Sequence, residues 1–215
     1  MHEALLQMPA ARVTWLCAIF LLCYVGVEVA LGGWIVVFMM QVRKGQSFAS
    51  GMTATGFWLG LTVGRVILGF VTPRLGERLA LMVSSLAPLP SLFRPLNLIF
   101  LQIYLPAVMA LELFFWLIPQ FYVSAVAVSL QGFFLGPLFP AVVVAATKLL
   151  PRHLHVSAIG FAAAFGGGGA AVLPFAVGAI AQSKGVQVLQ PIILALVAVL
   201  LGLWLCLPRF SKKRE

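Results

Sequence analysis

The chain has 215 residues, 62% of them hydrophobic and 9% charged, with a formal net charge of +9 and a mean hydropathy of +1.10. Soluble domains carry about 25% charged and roughly 45–50% apolar residues, so a water-soluble fold of this composition would expose aggregating apolar patches. The basic excess lies in short stretches between long apolar runs, a topology signal facing anionic headgroups that argues against a nucleic-acid surface.

A spanning helix needs about 20 apolar residues. Residues 1–13 read as a cytoplasmic segment, and the first span is predicted at Thr14–Met40, too long and lacking the small-residue pattern of a cleavable signal peptide. The second runs from Ser50 to Thr72 and ends on Pro73-Arg74-Leu75-Gly76-Glu77-Arg78. Leu79–Pro119 is too long for one helix and barely long enough for two. Pro88, Pro90 and Pro95 interrupt its first half, and each proline removes a backbone donor. The third span is therefore predicted at Leu98–Leu117, entered through a proline-rich interfacial stretch. Tyr122–Thr147, Val156–Gln182 and Leu189–Leu207 complete six spans, and residues 208–215 form a basic tail.

Six helices place Arg12, Arg74, Arg78, Arg94, Lys148, Arg152 and the tail cations Arg209, Lys212, Lys213 and Arg214 on one side of the bilayer. Arg43, Lys44 and Lys184 fall on the other, and Arg65 lies within a span. The positive-inside rule then puts both termini in the cytoplasm. A seventh helix in the proline-rich stretch would scramble that asymmetry. The pattern fits the plasma membrane or an internal membrane such as that of the vacuole. Cys17, Cys23 and Cys206 lie in apolar runs without metal or disulfide spacing and read as small core residues.

Charged and polar residues inside spans are the candidate functional positions. Glu28 sits near the middle of the first span, where a lone carboxylate costs several kcal/mol unless it faces protein or water. It reads either as a proton-titrating or substrate-binding group at the midplane, where secondary transporters place their sites, or as a protonated side chain bonding a neighbouring helix. Arg65 reads as a structural or gating group, with substrate contact as the alternative, and Glu112 as a helix-packing group. Trp34 and Gln131 are candidates to line a polar cavity, Trp34 serving otherwise as an interfacial anchor. Gly56, Gly60 and Gly64 form a stripe suited to close helix approach. Gly166, Gly167, Gly168 and Gly169 cost about 1 kcal/mol each against alanine in mid-helix, so with Pro174 they read as a bendable gate or an unwound turn facing a cavity. His153 and His155 lack a third ligand nearby and read as solvent-facing. No catalytic constellation, metal site or cofactor motif stands out, so the chain does not read as an enzyme.

The stretch Gly64-Arg65-Val-Ile-Leu-Gly69-Phe-Val-Thr-Pro73-Arg74-Leu75-Gly76-Glu77-Arg78 resembles the signature loop of the major facilitator superfamily, Gly-x-x-x-Asp-Arg-x-Gly-Arg, with Pro73 where the family usually has aspartate. Tyr24-Val-Gly-Val-Glu28-Val-Ala-Leu-Gly32-Gly33-Trp34 and Gly132-Phe-Phe-Leu-Gly136-Pro137-Leu-Phe-Pro140 resemble fungal members of its fucose–proton symporter-like branch. The resemblance implies an all-α polytopic fold equivalent to the carboxy-terminal six of twelve helices, and it implies that Val83–Gln102 is an insertion, since its removal joins Leu79–Met82 to Ile103–Pro106 in one span of ordinary length. Arg74, Gly76 and Arg78 would then be gating or structural residues. It further implies alternating-access transport of a small polar solute, sugar-like by branch, with proton coupling through Glu28. The implied partners are the substrate, protons, the bilayer and either an amino-terminal half or a second copy. A transporter fragment acting only as a membrane-embedded interaction partner is the competing expectation.

Overall fold

A computed structural model describes the backbone of residues 10–86 and 96–207, and the side chains of residues 10–70 and 103–207. The helices are α1 (Ala10–Gln41), α2 (Ser47–Leu86), α3 (Leu96–Leu117), α4 (Phe121–Leu135), α5 (Leu138–Leu149), α6 (His155–Lys184) and α7 (Leu189–Cys206). Short 3-10 turns at Arg152–Leu154 and Val186–Val188 lead into α6 and α7, and no strand occurs among the described residues. α4 and α5 form one apolar stretch, Phe121–Leu149, so the helices make six passes. Five are long and apolar enough to cross a bilayer on their described residues, and the described part of α3, Ile103–Leu117, is a shorter apolar helix. This is an all-α, multi-pass integral membrane protein.

Three details depart from the sequence reading. The segment expected to turn after Thr72 is helical: α2 continues through Pro73 to Leu86. Leu75, Glu77, Arg78, Leu79, Ala80, Leu81 and Met82 are good helix formers, and proline is tolerated within helices of membrane proteins. The predicted insertion is also partly helical, residues 83–86 closing α2 and residues 96–102 opening α3. Its residues 87–95 lie outside the described residues, as do residues 1–9 and the tail at 208–215. Finally, the fourth pass is two helices, interrupted at Gly136-Pro137, because Pro137 has no N–H to offer the Phe133 carbonyl one turn back.

α1 is apolar around its whole circumference and occupies the centre, packing against α2, α4, α5, α6 and α7. Phe20, Tyr24, Leu31, Ile35 and Met39 are fully buried along it. Around it α2 packs on α4, α4 on α3, and α3 on α7, while α6 lies almost wholly against α1.

Lipid tails are as apolar as leucine, so helices here associate through close packing rather than through water exclusion. Glycines supply that closeness at two crossings. Between α2 and α4, a methyl group at Gly60 would stand 2.1 Å from the Ser129 carbonyl oxygen, and one at Gly64 2.0 Å from that of Phe133. From the opposite side, Gly132 faces the Phe57 carbonyl and Gly136 that of Leu61, at 2.3 and 2.6 Å from the same hypothetical methyl. The Phe133 carbonyl that Pro137 leaves without a helical donor is thus the atom against which Gly64 is laid. Between α1 and α6, Gly169 meets the Leu22 carbonyl at 2.0 Å by the same measure, and Gly26 the Leu173 side chain.

The four-glycine run is continuous helix within α6, not an unwound turn. Gly166 and Gly169 face α1, while Gly167 and Gly168 point to open space. The propensity cost at Gly169 is offset by an approach that any larger residue would block, whereas a methyl at Gly166 would press on the Val25 side chain at 3.1 Å.

Candidate functional site

Tyr24 and Glu28 are one helical turn apart on α1, so both project toward α2, where Arg65 meets them. Arg65 Nη2 donates to Glu28 Oε1 at 2.9 Å and Oε2 at 3.0 Å, and lies 3.3 Å from the Tyr24 hydroxyl. The Phe139 ring of α5 lies 6.4 Å from that of Tyr24, which is itself fully buried. Solvation is asymmetric across the pair: the Arg65 side chain is 42% exposed and that of Glu28 only 10%. The carboxylate is therefore anchored inside the bundle, and the guanidinium reaches it from the open face. Among the described residues, the hydrogen bonds of Arg65 are made through Nη2. A charge that would be costly alone in an apolar span is offset here by an opposite charge and shared hydrogen bonds.

Trp34 and Gln131, the other two candidates for a binding cavity, do not join this cluster. The Trp34 indole N–H donates to the Pro174 carbonyl of α6 at 3.1 Å, and its ring fills the space above Gly178, where a methyl would come within 2.7 Å. The Trp34 indole N–H is thus spent on α6. It pins α1 to α6, and Pro174 acts as its acceptor. Gln131 is fully buried on α4 and donates from Nε2 to Glu112 Oε2 of α3 at 2.6 Å. It lines no open space, so the cavity expectation for Gln131 is replaced by a buried α3–α4 bridge.

Arg74, Gly76 and Arg78 lie on the helical backbone of α2, in the portion whose side chains fall outside the described residues. His155 Nε2 sits 2.8 Å from the Leu150 carbonyl, a local contact that turns the chain into α6.

Two functional contacts escaped the sequence reading. Tyr24 belongs to the charged cluster, and its spacing of four residues from Glu28 was the available signal. Arg43, read only as a loop charge, inserts between helix ends. It donates from Nε to Ser124 Oγ at 3.0 Å and from Nη2 to the Phe115 carbonyl, and its guanidinium lies 5.5 Å over the Phe38 ring. It thereby caps the carbonyl end of α3 and ties the α1–α2 turn to α4.

The architecture is an apolar six-pass bundle of helices with an ion pair inside its spans. No protein-family model matches the sequence. Among solved structures the chain is similar to the E. coli fucose:proton symporter (N162A variant), with a TM-score of 0.67, 17% identity and 95% of this chain covered. Among curated proteins it is similar to Bypass of stop codon protein 6 of Saccharomyces cerevisiae, 33% identical over 211 residues and 98% of this chain. The chain spans 46% of the symporter and 40% of the yeast protein.

Proposed function

We propose that the chain forms one half of an alternating-access transporter for a small polar solute, with the Glu28–Arg65 pair as its charged switch. The observation that carries this reading is the ion pair itself, joining α1 to α2 inside the apolar spans with the arginine half-exposed. Ionisable groups within spans mark substrate or proton pathways more often than they serve stability. A proton taken up by Glu28 would discharge the pair and release Arg65 to a substrate hydroxyl or carboxylate; its loss would restore the α1–α2 tie. A sugar is the favoured solute class, supported by the fucose named for the symporter of similar fold. Proton coupling then makes the reaction a symport, with both termini in the cytoplasm by the charge distribution.

α2 and α6 are the spans least buried within the bundle, and in this reading an amino-terminal six-helix half or a second copy covers them. The same exposure favours a second reading, a membrane-embedded interaction partner without transport of its own. Reconstitution separates the two. Proteoliposomes in which crosslinking detects an assembly of two halves should accumulate labelled fucose or a related sugar when an inward proton gradient is imposed. Assembly without accumulation, across a panel of small sugars, would favour the interaction-only reading.

A further inference from the structure

A second carboxyl lies inside the bundle in the opposite situation. Glu112 on α3 is fully buried, and among the described residues no cation pairs with it. Among the described residues its hydrogen-bond partner is the Gln131 amide, 2.6 Å from Oε2. Glu112 Oε1 and Gln131 Oε1 are both buried acceptors without a donor.

The charged and titratable groups on the elements packed against α3 do not resolve this. From α2 comes Arg65, whose hydrogen bonds go to Glu28 and Tyr24 and not to Glu112, and from α5 comes Lys148, at the opposite end of the bundle. α4 brings Tyr122, which is exposed, and α7 brings Cys206 at its far end. Arg43 reaches α3 but ends on the Phe115 and Trp116 carbonyls. Arg74, Glu77 and Arg78 belong to the part of α2 toward the α2–α3 connection, whereas Glu112 lies near the other end of α3.

We propose that Glu112 is a resident proton-binding site: its carboxyl is protonated and, with Gln131, forms a neutral acid–amide bridge between α3 and α4. A carboxylate has only acceptors, so its ionised form would leave an uncompensated buried charge beside a donorless amide oxygen. One proton supplies the missing donor. The amide oxygen and nitrogen are exchangeable by rotation, and the alternative orientation reaches the same conclusion. It would set two oxygens 2.6 Å apart, the ordinary length of an O–H···O bond and short for N–H···O. Every orientation of Gln131 therefore favours a proton on Glu112. The two intramembrane carboxyls thus take opposite roles, Glu28 bound to a cation and Glu112 to a proton. Such divergent environments are how proteins hold carboxyls in different protonation states at one pH.

The inference does not depend on transport and is tested on the chain alone. Only 5 acidic residues occur, all glutamate, so infrared spectra of the purified chain in lipid bilayers at neutral pH are assignable. The expected spectrum shows the carbonyl stretch of a protonated carboxylic acid, shifted by heavy water, retained in Glu28→Gln and lost in Glu112→Gln. Glutamine mimics the protonated acid in shape and supplies an N–H donor in place of its O–H, so Glu112→Gln should assemble normally. Should it fail to assemble, Gln131→Leu supplies the decision: the acid band should persist and move to higher frequency as its hydrogen bond is lost. Absence of the band in the unsubstituted chain, its survival in Glu112→Gln, or an unmoved band in Gln131→Leu would overturn the proposal.

Discussion

Leucine in place of Gly64 is expected to disrupt the bundle, at a cost of about 3 kcal/mol, the upper part of the range for overpacking a tight interface. Even a methyl there would stand 2.0 Å from the Phe133 carbonyl oxygen, and that atom belongs to backbone that cannot rotate aside. α2 and α4 would have to separate. The separation would also move Arg65, the next residue, away from Glu28. Thermal unfolding in detergent, followed by the monodisperse fraction, measures the effect. Gly69→Leu is the control on the same helix: nothing lies within 4 Å of a methyl at Gly69, and leucine has the better helix propensity. Gly69→Leu should leave stability unchanged or slightly raised. Equal losses at the two positions would show that the α2–α4 approach is not what these glycines provide.

The second large effect concerns the ion pair. Arg65→Leu alone should lower stability by about 2–3 kcal/mol, because it leaves Glu28 without its cation in an apolar span. The value is held below that of a fully buried pair, because the Arg65 side chain is 42% exposed. Removing both charges, in Glu28→Leu with Arg65→Leu, should cost less than Arg65→Leu alone, since the stranded carboxylate disappears with its partner. Simple additivity in a double-mutant cycle would show that the two residues do not share energy and would detach the switch from its anchor.

Much of this architecture was legible in the chain, for reasons that differ between elements. Long apolar runs such as Thr14–Met40 announce spans because lipid leaves the backbone no alternative to helix. Gly56, Gly60 and Gly64 announced a close crossing because the period of four defines a helix face. Proline was harder to interpret. Pro73 was read as an end and is traversed by α2, whereas Pro137 was read as interior and divides α4 from α5. The difference lies in tertiary context. The carbonyl freed by Pro137 lies against Gly64 of another helix, and no local pattern encodes that contact.

The site was half legible. Glu28 and Arg65 stood out singly because charge is rare in spans, but nothing in their separation of 37 positions announced that they touch. Trp34 and Gln131 were assigned to a cavity on chemical type alone. A tryptophan N–H and a glutamine amide are equally able to satisfy a partner helix, and here they bond Pro174 and Glu112. The four-glycine run carried a real energetic signal, since that much flexibility in one helix calls for compensation. The compensation for Gly169 is proximity to α1, which only three-dimensional packing reveals.

The switch proposed at Glu28 is tested most directly by sugar uptake as a function of external pH, comparing proteoliposomes of the assembled halves with and without Glu28→Gln. Glutamine keeps the shape and a hydrogen bond to Arg65 but cannot exchange a proton. A pH-dependent rate in the parent and a flat profile in the variant is the predicted outcome. An identical pH profile in both would contradict a coupling role for the carboxylate and reduce the ion pair to a structural tie.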